Sequence, residues 1–149
     1  MSALIAYLHS LSMIALGSLL VLQLLSFDRL HEKQELHRFF LLCVGIAAAA
    51  ALMLLSGLGL LLWSEHGGMF YLRNPVFYIK IALFAAMLLI AITPTRIVLQ
   101  WRRQAESMVV TDLRGLVKRY VIAELILFAL VPLAAALSAR GIGFQTSSI

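Results

Sequence analysis

Residues 39–63 read FFLLCVGIAAAAALMLLSGLGLLLW, from Phe39 to Trp63, without one charged side chain. An α-helix rises about 1.5 Å per residue, so about 20 residues cross the roughly 30 Å of hydrocarbon in a bilayer. Three further apolar stretches of similar length, at about 3–27, 76–95 and 120–139, fill most of what remains. Four such stretches in 149 residues leave no room for a separate soluble domain. The expected fold is therefore all-α: one polytopic transmembrane four-helix bundle.

Composition agrees. Charged residues make up 13% of the chain, against about 25% in soluble domains. A formal net charge of +5 would suggest nucleic acid as the partner of a soluble protein. Here it marks loops that touch anionic lipid on the cytoplasmic face, and no nucleic-acid partner is expected. The single cysteine, Cys43, lies inside the second stretch and can form no intramolecular disulfide.

The basic residues set an expected orientation. Arg29, Lys33 and Arg38 follow the first stretch, and Arg96, Arg102, Arg103, Arg114, Lys118 and Arg119 surround the third connection. The opposite side carries Arg73 and Arg140, with Lys80 inside the third stretch. Lys and Arg near helix ends are retained in the cytoplasm, so a bias of nine to two places both termini outside. Only Met1 and Ser2 precede the first apolar run, which is too long for a signal-peptide core and is expected to stay in the mature protein. The localisation that follows is the bacterial inner membrane. Tyr7, Trp63, Phe70, Tyr71 and Tyr78 fall at the expected outer interface, and Trp101 and Tyr120 at the inner one.

Between the spans, Val109, Leu113, Leu116, Val117 and Tyr120 recur at helical spacing opposite Arg114, Lys118 and Arg119. This pattern predicts an amphipathic helix over about 107–119 lying on the cytoplasmic leaflet. Residues 28–38 alternate acidic and basic side chains at helical offsets and predict a helical extension with local ion pairs. The third helix is expected to end at Thr93-Pro94-Thr95, with Thr93 covering a carbonyl freed by the proline, and Pro132 to kink the fourth. The Ala47–Ala51 run with Gly45, Gly57 and Gly59 marks the second helix as the centre of the bundle.

Ionisable groups inside a span are costly and are functional candidates by default. They fall at two levels. At the outer level, His9 and Lys80 share similar depth, with Tyr71, Asn74 and Tyr78 nearby, and form a candidate ligand-binding site. The plainer readings are a histidine that hydrogen-bonds two helices together and a lysine that snorkels to the headgroups. At the inner level lie Gln23, Arg96 and Glu124, where Glu124 is expected to pair with Arg96 or Arg119. The other reading gives Glu124 and Gln23 a proton- or cation-handling role. If a b-type haem were bound, His9 would be its ligand, and Met13 on the same helix cannot serve from the opposite face. The chain has no glycine-rich phosphate loop, no HExxH and no Gly-x-Ser-x-Gly elbow.

The segment from Phe70 to Phe84, Pro94-Thr-Arg96, Trp101-Arg-Arg103, Ala123-Glu124-Leu125 and the closing run from Pro132 to Gly141, together with Tyr7-Leu-His9, carry a resemblance. They resemble a family of small bacterial inner-membrane proteins that bears only a domain-of-unknown-function label. The resemblance spans nearly the full chain, implies four transmembrane helices with no assigned activity, and draws attention to His9, Asn74, Lys80, Arg96 and Glu124. A weaker similarity runs to HemJ-type protoporphyrinogen oxidases and CopD-like membrane proteins, which also place a histidine early in helix 1 and a lysine in helix 3. In the HemJ pattern a haem-holding histidine stands two positions before that lysine, where this sequence has Tyr78.

The functional expectation is a non-enzymatic accessory or small-ligand/lipid-binding membrane protein with its polar site at the outer end. The alternatives are a redox protein holding b-type haem or a quinone near His9 and Lys80, and a small transporter that would have to oligomerise. Expected partners are the bilayer, anionic lipids at the cytoplasmic loops, and further copies or a larger membrane complex. For the orientation, single cysteines at Ser2 and Ser147 should react with an impermeant thiol reagent added to intact cells. Labelling only after membrane rupture would invert the topology.

Overall fold

The computed structural model describes residues 2–26, 33–63, 75–103 and 111–139. They form four α-helices: α1 (Ser2–Leu25), α2 (Lys33–Leu62), α3 (Pro75–Arg103) and α4 (Thr111–Ala139). Each contains a segment long and apolar enough to cross a membrane: Ala3–Leu25, Glu35–Leu62, Pro75–Trp101 and Gly115–Ala136. Large apolar side chains such as Leu55, Ile79, Leu89 and Ile126 are exposed along the outside of the bundle. In water this would be an aggregation surface; against lipid it is the ordinary exterior of a spanning helix.

The chain folds as two hairpins. α1 packs along α2 and α3 along α4, whereas α1 meets α4 and α2 meets α3 more sparsely. The buried positions on α1, α3 and α4 recur at steps of three, four or seven residues. On α1 they are Ser12, Leu16, Leu20 and Gln23; on α3, Phe84, Met87, Pro94, Val98 and Trp101; on α4, Val117, Val121, Glu124 and Val131. This spacing keeps one stripe of each helix facing its neighbours.

Two apolar clusters result. The central one joins Leu16 and Leu20 with Ile46, Ala49, Ala50 and Met53, and with Phe84, Met87 and Val131. α2 has the largest buried share of the four spans, and Ala49 and Ala50 let its neighbours approach closely. The second cluster, Phe39, Cys43, Val98, Trp101, Val117 and Val121, lies at the other end, where α2 begins, α3 ends and α4 begins.

This second cluster revises several expectations. α3 does not stop at Thr93-Pro94-Thr95: Pro94 sits within the helix, which continues to Arg103. The back-bonding hydroxyl is Thr95, which donates to the Ala91 carbonyl at 2.8 Å. The segment expected to lie on the leaflet is, from Thr111 onward, the first part of a continuous α4, with Val117 fully buried; residues 107–110 lie outside the described residues. Trp101, at the end of the Pro75–Trp101 span, is buried in this cluster. The extension before Phe39 is present from Lys33, with Arg38 Nη1 donating to Glu35 Oε1 at 2.8 Å.

One close approach ties the hairpins together. A Cβ built on Gly17 of α1 would lie 2.8 Å from Phe128 Cε1 of α4. Gly17→Ala should therefore cost about 1–3 kcal/mol through overpacking. Adding Phe128→Leu should recover most of that loss, read as the unfolding midpoint in mild detergent. A Gly17→Ala protein as stable as the wild type would show that this contact does not constrain the bundle.

Candidate functional site

His9 lies two turns into α1 and faces α2. Its Nδ1 is 3.1 Å from the Met53 carbonyl oxygen and 3.1 Å from Ser56 Oγ. A carbonyl only accepts, so the proton belongs on Nδ1. The Ser56 hydroxyl donates into its own helix, to Leu52 O at 2.7 Å, and is left as an acceptor toward the ring. The opposite nitrogen, Nε2, makes no hydrogen bond among the described residues and is the nitrogen turned to other partners.

Gly57 keeps this approach close: a Cβ at that position would stand 3.3 Å from His9 Cε1, and the ring would have to give by a few tenths of an ångström. One turn below His9, the buried Ser12 hydroxyl donates to the Leu8 carbonyl and asks nothing of its neighbours. His9 thus fastens α1 to α2, as the plainer reading held, and it also lines a cavity.

That cavity, of about 880 Å³, takes its walls from all four helices. Ala6, His9 and Met13 come from α1, Gly57 and Leu61 from α2, Phe77, Lys80 and Phe84 from α3, and Val131 and Pro132 from α4. His9 and Lys80 are its ionisable members in an otherwise apolar lining. Lys80 is half-buried, with Nζ 5.7 Å from the centre of the Phe77 ring, within cation–π range. Among the described residues no carboxylate pairs with it. Leu54, Leu58 and Ile81 line the cavity and are exposed on the bundle surface, so it opens sideways between α2 and α3, where the hairpins are sparsely joined.

The remaining expected residues divide. Tyr78 is 53% exposed and lies outside the lining; Phe77, edge-on to it at 5.9 Å between centroids, takes the inward place. Tyr71 and Asn74 lie outside the described residues. At the other end, Gln23 and Glu124 are buried, at 2% and 1% exposure, whereas Arg96 and Arg119 are exposed. The expected Glu124 ion pair with Arg96 or Arg119 is absent among the described residues, because both guanidinium groups sit outside the stripe that carries Glu124. Cys43 replaces arginine in this group: Gln23 Nε2 donates to its sulfur at 3.4 Å, and Thr95 lies beside it.

A b-type haem held from both faces needs two axial ligands on opposite sides of the macrocycle. Among the described residues His9 is the one histidine in the lining, so such a pair is not found there. Among the described residues no group of three or more His, Cys, Asp or Glu side chains could hold a metal ion.

Sequence reasoning missed the part of Met53, Ser56 and Gly57 in seating His9. Gly57 was legible as a small residue, but nothing in the sequence aligns it or Ser56 with His9 on the neighbouring helix. Interhelical hydrogen bonds in membranes are worth about 0.6 kcal/mol on average and up to about 1.7. A double-mutant cycle of His9→Ala and Ser56→Ala should return a coupling in that range. Strict additivity would show that the two side chains do not interact.

The comparisons with known proteins agree with this architecture and name no activity. No match is found among curated proteins or among solved structures, so the similarity to HemJ-type and CopD-like proteins has no support there. One family model matches residues 1–143, nearly the whole chain. With four helices long and apolar enough to span a bilayer, the chain belongs to the family described as "Predicted membrane protein (DUF2214)".

Proposed function

We propose that this protein is a non-enzymatic membrane protein that binds an amphiphilic, membrane-soluble ligand, a lipid with an anionic, hydroxyl-bearing head group. The observation that carries this reading is the convergence of His9 and Lys80 on one laterally open, otherwise apolar cavity. The Lys80 ammonium offers three donors and a positive charge to a phosphate or carboxylate oxygen. His9 Nε2 offers a lone pair to a hydroxyl. The apolar walls supplied by Leu58, Leu61, Phe84 and Leu88 take the hydrocarbon tail. An oxidised quinone meets half of this pattern, since its carbonyls accept from Lys80 and bring nothing for Nε2 to accept. The Lys and Arg bias supports a position for the cavity at the outer leaflet of a bacterial inner membrane.

Trp63 lines the cavity and reports on its occupant. In a Trp101→Phe background, a brominated anionic lipid with a glycerol head group should quench Trp63 emission at lower mole fraction than a brominated phosphatidylcholine. Hydrogen bonds to charged groups are worth about 1.5–3 kcal/mol. Lys80→Met should therefore weaken the anionic lipid by about tenfold or more and leave the zwitterionic one unchanged. Equal quenching by both lipids in the wild type would overturn the proposal.

A further inference from the structure

The second polar level is built differently from the first. Glu124 of α4 and Gln23 of α1 are almost fully buried, yet Glu124 Oε1 and Gln23 Oε1 have no hydrogen-bond partner. Both belong to one layer. Gln23 Nε2 donates to Cys43 Sγ, Thr95 lies beside the same sulfur, and Glu124 is within electrostatic reach of it. Each of the four helices contributes one of these side chains. By the helical rise, Glu124 lies roughly 13 Å inside the Gly115–Ala136 span.

Among the described residues, the hydrogen bonds of this layer leave its oxygens without donors. The Gln23 amide nitrogen faces Cys43, and the Thr95 hydroxyl donates to Ala91 O. The Cys43 thiol is a weak donor. The layer then holds, around Cys43, the unpartnered oxygens Glu124 Oε1 and Gln23 Oε1 and the lone pairs of the Thr95 hydroxyl. A cluster of acceptors in apolar surroundings is costly unless a hydrogen or a positive charge sits among them. Among the side chains described, Arg96 of α3 and Lys118 and Arg119 of α4 are exposed, and Arg38 of α2 is paired with Glu35. His37 is exposed, and the phenol of Tyr120, one turn from Glu124, is not a cationic group.

We propose that this layer is a monovalent-cation site, in which a proton or a sodium ion is held between the Glu124 carboxyl and the Gln23 amide oxygen, with Thr95 as a third oxygen donor. One carboxylate supplies one negative charge, which suits a monovalent ion; calcium sites gather several carboxylates. Hard oxygen donors exclude the soft metals that thiolate and imidazole select, and no cluster of three His, Cys, Asp or Glu is present among the described residues. The site is independent of the His9–Lys80 cavity, with the central apolar cluster between them.

The test uses the full-length protein in phosphatidylcholine nanodiscs, unfolded by heat in sodium chloride or in choline chloride at equal ionic strength. If sodium is the occupant, the wild type gains several degrees in sodium and Glu124→Gln gains none. If a proton is the occupant, sodium has no effect, and the infrared spectrum at neutral pH contains a protonated-carboxyl C=O band that Glu124→Gln lacks. Either result supports the site and identifies its ion. Should Glu124→Gln fail to fold, Gln23→Leu retains the carboxyl and removes one oxygen. It should then weaken the sodium effect at least tenfold, or move the carboxyl band to higher frequency. A wild type with neither a sodium effect nor the carboxyl band overturns the proposal. Glu124 would then be ionised and satisfied by water or by Gln23 N–H groups turned the other way. A Gln23→Leu protein that keeps the sodium effect or the band unchanged overturns it equally.

Discussion

The end of the bundle that carries the cavity depends on how closely α1 can approach α2 around Gly57. Lipid tails are as apolar as leucine, so burial gives two spanning helices no reason to associate; close packing and shared hydrogen bonds must do it. Gly57 allows the His9 ring to lie against α2, and the Met53 carbonyl and Ser56 hydroxyl receive its Nδ1 proton. Once that nitrogen is committed, Nε2 is the nitrogen left for a ligand. The same contact holds the α1–α2 hairpin as a unit, so the space left between it and the α3–α4 hairpin persists as a cavity. Packing and chemistry share one residue.

The apolar lengths made the four spans legible, because hydrocarbon thickness fixes how many residues a span needs. The polar depths did the same for His9 and Lys80: two residues at similar distance from the same ends of parallel helices reach one level, and the structure turns both toward one cavity. The second cluster was not legible. The sequences before Phe39, after Pro94 and before Tyr120 carry charges and read as connections, since the eye follows the uninterrupted apolar runs. Yet Phe39, Val98, Trp101, Val117 and Val121 are spaced so that three helix ends close on one another. A proline at position 94 does not break α3, because the turns beyond it are held by Val98 and Trp101 in that core.

The Glu124 pairing fails for a related reason. Sequence distance from a helix end gives depth, and Arg96 and Glu124 do lie at comparable depth. Depth does not give azimuth. Arg96 lies two positions past Pro94 and two short of Val98, both buried, so it falls on the opposite side of α3 from the stripe that meets α4. A helix turns about 100° per residue, so a displacement of two positions is enough to send a guanidinium outward. The carboxyl is left with the neutral company of Gln23, Cys43 and Thr95.

The order of layers along the bundle then constrains what one copy can do. From the cavity downward, His9 and Lys80 are followed by Leu16, Leu20, Ile46, Ala49, Ala50, Met53, Phe84, Met87 and Val131, all apolar and buried. Only below these do Gln23, Thr95 and Glu124 appear. A proton or ion crossing this distance would need polar stations at intervals of a few ångströms, and the central layer offers aliphatic, alanyl and aromatic side chains. A conducting path through a single copy is therefore a poor fit to this packing. Two separate sites, one open to the membrane and one closed within the bundle, fit it better. The closed one occupies the layer where all four helices meet, so its occupant would brace the two hairpins against each other at the end opposite the cavity.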